Sequence, residues 1–585
     1  MSDKTYVPAG ESEPASQIGA TIEALAATIH GRREAGAESY TWRLLTGKDD
    51  DCLKKVMEEA GEVALAAKDA GAAEGDARDA AADHLRYEAA DVVYHLLVVL
   101  ERYDIPLDEF AAELNMRMRA DERPEGAVML KPEHVKRGKV MGKLFGTDGA
   151  RGVANTDLTC ETAFALGQAA VKFLGTTIAL GKDTRLSGDM LEAALNAGIM
   201  SAGGTVLALG VIPTPAVALL ARELHANGGI VISASHNPPE YNGIKFFDGE
   251  GFKLPVELEA QVEDYAVAGG LPVADRVPGD AVGTIVPVEN AVEIYIEHAV
   301  DAIKAQGVSF DGIKIALDTA HGASSLTTAE ALRRLGADVT VINDDFNGTD
   351  INVDCGSTHL GKVRDLVAEI GADLGIAHDG DADRVLFVDA NGNEIDGDMV
   401  EAACAIDLKN RGQLAGNTAV STVMCNLGFV RAMEAHGIEV LQTAVGDRHV
   451  LQAMRDNGYV IGGEQSGHTI LLRHNSTGDG LMTACQFISV CVRNGMTAAQ
   501  AAAQMTRFPQ ELVNVKVADK GALAGNEAIA QAIASAEEAL GNDGRVLVRP
   551  SGTEPLIRVM VEAATNEVAA QHARAIAQVV EDELA

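Results

Sequence analysis

The sequence predicts a multidomain protein in which an all-α helical amino-terminal domain precedes a succession of α/β domains, closed by a smaller α+β domain at the carboxyl end. Three observations carry this. Residues 17 to 119 are rich in Ala, Glu and Leu, with apolar residues recurring at helical spacing and no β-branched run bounded by Gly or Pro. After Met141 the texture changes to short apolar runs such as GGIVIS, IKIALD and RVLFVD, each followed by a Gly-, Asp- or Ser-rich loop and often by a helical pattern. A length of 585 residues, at ~100–200 residues per domain, leaves room for roughly three to five such units.

Composition narrows the partners. Lys and Arg number 48 against 86 Asp and Glu, a net charge of −38 that repels duplex nucleic acid and anionic bilayers. Hydrophobic content of 47% with 23% charged residues is ordinary globular usage. The apolar stretch Val92 to Leu100 contains His95 and is far shorter than the ~20 residues a membrane crossing needs. The opening MSDKTYVPAGESEPAS has no basic flank before an apolar core, so neither export nor anchoring is expected. Seven cysteines are scattered without a close pair, which fits a reducing cytoplasm. Small-molecule partners are expected, with self-association, if any, through the helical domain.

In the helical segment, KKVMEEAGEV puts Glu58 and Glu62 four residues apart on one face, with Glu59 at its edge, and EAAD puts Glu88 and Asp91 three apart. Val56, Val63, Val92 and Val93 stand close beside these acids, so both kinds of residue are expected to border the helix packing surface. Carboxylates converging there need hard cations, and oxygen-only donors favour Mg²⁺ or Mn²⁺. The blocks SYTWRLL, KKVMEEAGEVALAA and EAADVVYHLLVVL resemble those of the phosphoribosyl-ATP pyrophosphohydrolases and their all-α relatives. The resemblance implies that Glu58, Glu59, Glu62, Glu88 and Asp91 hold Mg²⁺ for hydrolysis of phosphoribosyl-ATP to phosphoribosyl-AMP and pyrophosphate. A dimerisation or regulatory module with exposed acids is the alternative. From Arg119 to Lys139 the periodicity is lost and prolines appear, as in a connector.

Four loops then follow strands. In GGIVISASHNPPEYNGIKFF, the strand Ile230 to Ile232 ends in a turn carrying Ser235, a candidate nucleophile, with His236 and Lys245 near enough in sequence to supply proton transfer and charge. In GIAHDGDADRVLFVDANG, Asp379, Asp381 and Asp383 alternate along a loop after Leu374 to Ala377, an oxygen-only cation site, and Arg384 follows to meet a phosphate. GYVIGGEQSGHTILLRHNSTGDG offers Glu464, Gln465, Ser466 and His468, the donor and acceptor mixture that sugar hydroxyls need. RVLVRPSGTEPLIRVMVEA surrounds a small loop with Arg549, Ser551, Gly552, Thr553 and Arg558, an anion site. Its setting is a helix-like stretch Asn526 to Leu540 and two strands.

Together these loops describe phosphoryl transfer on a sugar phosphate. With FGTDGARG (145–152) they resemble the α-D-phosphohexomutase superfamily over residues 141–585, and within it the bacterial phosphoglucosamine mutases. The resemblance implies a four-domain α/β phosphohexomutase divided at 141–290, 291–394, 395–508 and 509–585, behind a helical domain at 17–119 and a linker at 120–140. It makes Ser235 the phosphoserine and a Mg²⁺ ligand beside Asp379, Asp381 and Asp383. Lys245 and Arg151 would stand near the reacting oxygens, with His236 assisting. Glu464 and Ser466 would hold sugar hydroxyls, and Arg549, Ser551, Gly552, Thr553 and Arg558 the phosphate not being transferred. The last domain should be mobile, since a bisphosphate must turn over. Phosphoglucomutase or phosphomannomutase activity is the alternative.

Overall fold

The computed structural model describes residues 16–36, 38–73, 75–116, 149–517, 520–551 and 556–584, with 124, 128 and 145. Most of the connector at 120–140, and Gly552 and Thr553 of the last loop, lie outside the described residues. The chain divides into two compact units, Met1–Val140 and Met141–Ala585.

The first unit is all-helical: α1 (Gln17–Gly31), α2 (Tyr40–Thr46), α3 (Asp49–Ala72), α4 (Asp76–Arg102) and α5 (Leu107–Met116). Hydroxyl caps open the first two, Ser16 Oγ accepting from Gly19 N–H at 3.2 Å and Ser39 Oγ from Trp42 N–H at 3.3 Å. The core is small, built from Ile29, Leu44, Cys52, Leu97 and Val98; each large aliphatic side chain so buried contributes about 1.5–3 kcal/mol. Arg102 ties α4 to the end of α2, its guanidinium donating to the carbonyls of Leu44 (2.5 Å) and Gly47 (2.7 Å).

The second unit contains four sheets in chain order. The first holds β1 (Ala150–Val153), β2 (Thr177–Lys182), β3 (Thr205–Val211), β4 (Gly228–Ile232), β5 (Tyr241–Asp248) and β6 (Ile285–Pro287) in the order β1-β5-β4-β2-β3-β6. Parallel pairing of β4, β2, β3 and β6 is followed by antiparallel β5 and β1. The second holds β7 (Lys314–Asp318), β8 (Asp338–Ile342), β9 (Leu374–His378), β10 (Val385–Asp389) and β11 (Glu394–Ile395), ordered β11-β10-β9-β7-β8. The third holds β12 (Thr418–Thr422), β13 (Glu439–Thr443), β14 (Ile461–Gly463) and β15 (Thr469–Leu471), ordered β13-β12-β14-β15. The fourth is antiparallel: β16 (Gln510–Lys516), β17 (Gly544–Pro550) and β18 (Leu556–Ala563), with β18 central and the helices Glu527–Leu540 and Asn566–Leu584 in the same unit.

One apolar cluster runs through the first three sheets, joining Val231 and Phe247 to Leu317, Ile376 and Phe387 and to Ala419, Ile461 and Phe487. The fourth sheet has a core of its own, including Ile557, Val559, Val561, Ile576 and Val580. It meets the third sheet's domain through polar contacts: buried Glu562 accepts from Asn426 Nδ2 (3.0 Å) and Leu427 N–H (3.1 Å), and Arg545 of β17 donates Nη2 to the Cys425 carbonyl at 2.6 Å. Asn426 also pairs with the backbone of Phe508, just before β16. Among the described residues, no helix is long and apolar enough to cross a membrane.

Candidate active site

At the carboxyl end of β4 the chain leaves the sheet at Ser233 and turns through Ser235, which is 1% exposed and holds a left-handed backbone (φ 53°). Its hydroxyl donates to Asp379 Oδ2 at 2.6 Å and lies 3.3 Å from His236 Nδ1. Asp379, Asp381 and Asp383 line the turn between the antiparallel strands β9 and β10, all buried, each with an oxygen within 4.8 Å of the others. Lys245, 2% exposed on β5 opposite Val231, places Nζ 2.8 Å from Asp381 Oδ2 and 3.4 Å from Asp383 Oδ2. Thr214, at the start of the helix Thr214–Glu223, donates its hydroxyl to the same Asp381 oxygen at 2.6 Å.

The electrostatics follow from burial. Removal from water, with Asp383 and Asp381 alongside, pushes Asp379 well above the usual carboxylate range. Asp383 is equally buried, but Lys245, His468 and Arg384 outweigh the desolvation and hold it well below that range. Burial, Arg384 and Arg151 bring His236 down to about 4, so it is neutral at neutral pH. Arg384 Nη1 lies 3.2 Å from His236 Nδ1, and the Arg384 N–H donates to Asp379 Oδ1 at 3.2 Å. Arg151, on β1 opposite Gly243, supplies the second positive charge felt by His236.

The sugar-loop candidates sit in the turn from β14 to β15. That turn is bonded to the aspartate turn: Val385 N–H donates to Gly467 O at 3.2 Å. Gly467 has φ 91°, and any Cβ there would collide with the Val385 carbonyl, so the two turns can touch only through glycine. Glu464 is half-buried and accepts from Gly446 N–H at 3.2 Å, while Ser466 is exposed. His468, 3% exposed, lies 3.8 Å from Asp383 Oδ1 and 3.3 Å from Asp447 Oδ2; Asp447 in turn pairs with Lys253. Arg549 and Arg558 are directly opposite one another on β17 and β18, and burial together with Arg558 lowers the Arg549 pKa. Ser551, 2% exposed, follows β17. This pair stands on the sheet that has its own core.

In the first unit the structure gathers Glu59, Glu62 and Glu88, with oxygens within 4.8 Å of one another. Glu59 and Glu88 are buried and Glu62 is exposed. Glu59, not Glu58, is the inward acid of α3, because the buried stripe of that helix runs through Cys52, Glu59 and Ala66 at seven-residue steps. Glu58 turns outward to Lys55 Nζ at 3.0 Å, and the same ammonium is 3.5 Å from Glu59. Val93, expected at the packing surface, is 39% exposed. Asp91 is not among the three; its backbone carbonyl accepts from His95 Nδ1 at 2.9 Å, and His95 Nε2 lies 3.1 Å from Tyr40 Oη.

Sequence reading passed over Asp183, Arg185, Thr214 and Asn352, all of which support the serine and aspartate turns. One signal was available, the charged run GKDTR directly after an apolar strand.

Comparison with known proteins agrees with this architecture. Models of the phosphoglucomutase/phosphomannomutase alpha/beta/alpha domains I, II and III match residues 142–269, 293–392 and 396–508, and that of the C-terminal domain matches 512–579. The phosphoglucosamine mutase of Carboxydothermus hydrogenoformans is 51% identical over 446 residues, 75% of this chain and 100% of its own. The chain belongs to the phosphoglucosamine mutase family. The mutase part shares its fold with a phosphoglucomutase/phosphomannomutase family protein of Burkholderia thailandensis (TM-score 0.64, 22% identity, 75% of this chain and 97% of that one). It shares it too with Aspergillus fumigatus N-acetylphosphoglucosamine mutase, solved with GlcNAc-6P and magnesium (TM-score 0.55, 19% identity, covering 75% and 95%). Ahead of the mutase, residues 22–118 match the phosphoribosyl-ATP pyrophosphohydrolase family model.

Proposed function

We propose that the mutase unit, divided into domains at 141–290, 291–394, 395–508 and 509–585, interconverts glucosamine 6-phosphate and glucosamine 1-phosphate through phosphoserine 235. The carrying observation is the Ser235 hydroxyl held 2.6 Å from Asp379, inside a buried aspartate trio and beside Lys245. Phosphoserine 235 gives its phosphoryl group to the free hydroxyl of the monophosphate; the Oγ–P bond breaks as the new O–P bond forms, and the proton of that hydroxyl passes by way of a neighbouring base to the freed Ser235 Oγ. The bisphosphate turns over, and Ser235 Oγ takes back the phosphoryl group from the other end.

The trio fits a magnesium ion: its donors are all oxygens, and the buried Oδ1 atoms of Asp381 and Asp383 make no hydrogen bond. Bound by those aspartates and the Ser235 oxygen, magnesium would offset charge on the phosphoryl oxygens. Lys245, Arg151 and Arg384 bring positive charge to the same oxygens, with Arg384 also meeting a substrate phosphate and neutral His236 orienting the serine. Glu464 and Ser466 would hold sugar hydroxyls, and Arg549, Ser551, Gly552, Thr553 and Arg558 the resting phosphate. Glucosamine is favoured over glucose or mannose by the 51% identity to a phosphoglucosamine mutase.

We further propose that the helical domain, residues 17–119, hydrolyses phosphoribosyl-ATP with magnesium held by Glu59, Glu62 and Glu88, the expected ligands Glu58 and Asp91 standing outside that cluster. Support comes from the gathered glutamates and the family match over 22–118. The decisive experiment maps phosphate on Ser235 by peptide mass, then compares conversion of glucosamine 6-phosphate by wild type and Ser235→Ala. Conversion at equal rates would remove the proposal.

A further inference from the structure

We propose that Arg185 is the positioning residue for the nucleophile: it holds the Ser235 turn from behind, through backbone carbonyls, so that Oγ keeps one place through both phosphoryl transfers. This deepens the phosphoserine reading and rests on it. Arg185 follows β2, and its side chain is wholly buried, as is that of Asp183. Each of its N–H groups has an acceptor. Nε donates to Asp183 Oδ2 at 2.9 Å. Nη1 donates to the carbonyls of Pro238 (2.5 Å) and Tyr241 (3.0 Å), and Nη2 to those of Ser235 (2.9 Å) and Asn237 (2.7 Å). One planar fork thus fixes both ends of the turn.

The turn needs holding. Ser235 is at φ 53°, a region that side-chain-bearing residues enter only where their surroundings enforce it. Asp183 acts from the other side of the same residue: its Oδ2 accepts from Ser233 Oγ at 2.6 Å, and Ser233 Oγ accepts from the Ser235 N–H at 2.9 Å. Asn352, from the second sheet's domain, donates Nδ2 to Ser235 O (2.9 Å) and Asn237 O (3.2 Å). None of these groups bonds Ser235 Oγ, which is left to Asp379 and His236. A lysine could not replace the arginine, since an ammonium has no planar fork and fewer N–H groups.

The test is Arg185→Lys in the full chain, with magnesium and glucosamine 6-phosphate. We expect a folded protein whose kcat falls about 100-fold, the cost of displacing a reacting atom by about an ångström, while KM stays near that of wild type. Amide exchange should quicken at residues 235–241 and nowhere else in the first sheet's domain. A folded variant with wild-type kcat, or with a loss no larger than its unfolded fraction, overturns the proposal. Should Arg185→Lys not fold, Asn352→Gly decides, because glycine keeps the φ of 62° at that position. A clear fall in its kcat at constant KM supports the clamp, and an unchanged kcat overturns it. A wild type that carries no phosphate on Ser235 and turns over no substrate would instead sink the mutase reading.

Discussion

The trio Asp379, Asp381, Asp383 and the trio Glu59, Glu62, Glu88 each bring three carboxylate oxygens within 4.8 Å, on very different supports. The aspartates sit in one strand-to-strand turn, wholly buried, with Lys245, Arg384 and His468 around them and Thr214 bonded to Asp381. The glutamates come from two helices, one of the three is exposed, and Lys55 and His84 stand beside them, the latter 3.0 Å from Glu88. Burial makes the difference chemical. Close carboxylates in a dry turn drive Asp379 far from its ordinary titration. A site that transfers charge-rich groups while excluding water needs the first arrangement; one that admits water to split an anhydride can use the second.

Four measurements would break or sharpen that contrast. Asp381→Ala removes the acceptor shared by Lys245 and Thr214, and mutase turnover should fall by at least about 1,000-fold, with pyrophosphate release unchanged. Glu59→Gln should lower magnesium-dependent pyrophosphate release by about 100-fold and leave glucosamine 6-phosphate conversion intact; equal release by wild type and variant would separate the helical domain from that activity. Magnesium should raise the melting temperature of the mutase unit more than that of the helical unit, since in the former it relieves buried repulsion. At 100 times its dissociation constant the ligand contributes about 2.7 kcal/mol, and equal shifts in calorimetry would contradict the contrast.

The smallest effect concerns Glu401, on the helix Gly397–Asn410, whose carboxyl is fully buried beneath Gly463 with neither oxygen hydrogen-bonded. Burial, with Asp398 nearby, raises it well above the carboxylate range. The folded state therefore keeps a proton that the unfolded state releases above pH ~4.3, so stability falls as pH rises past that value. Glu401→Gln should accordingly gain melting temperature over wild type by a few degrees at pH 8 and gain little at pH 5. A difference independent of pH would contradict it.

How far the sequence could be read follows from what lies close along the chain. The helical first unit and the α/β alternation after it were legible because periodicity is local, and the aspartate turn because its three acids are alternate residues. Supports were not legible. Arg185 reaches the serine turn from 50 residues upstream and Asn352 from 117 downstream, and no local pattern marks such pairs. On α3, spacing put Glu58 with Glu62 on one face and Glu59 at its edge; the buried stripe through Cys52 and Ala66 turns Glu59 inward instead. His468 stood in a recognised loop, yet its link to Asp383 and Asp447 needed three chain segments to meet.

The fourth sheet's private core has a consequence for how such a protein can change. Substitutions that repack Ile557, Val559 or Ile576 are absorbed among their own neighbours, while those that alter Val231 or Phe387 disturb three sheets at once. Within the mutase unit the closing domain is therefore free to be exchanged between relatives or retuned to a new substituent, provided the Asn426–Glu562 joint survives.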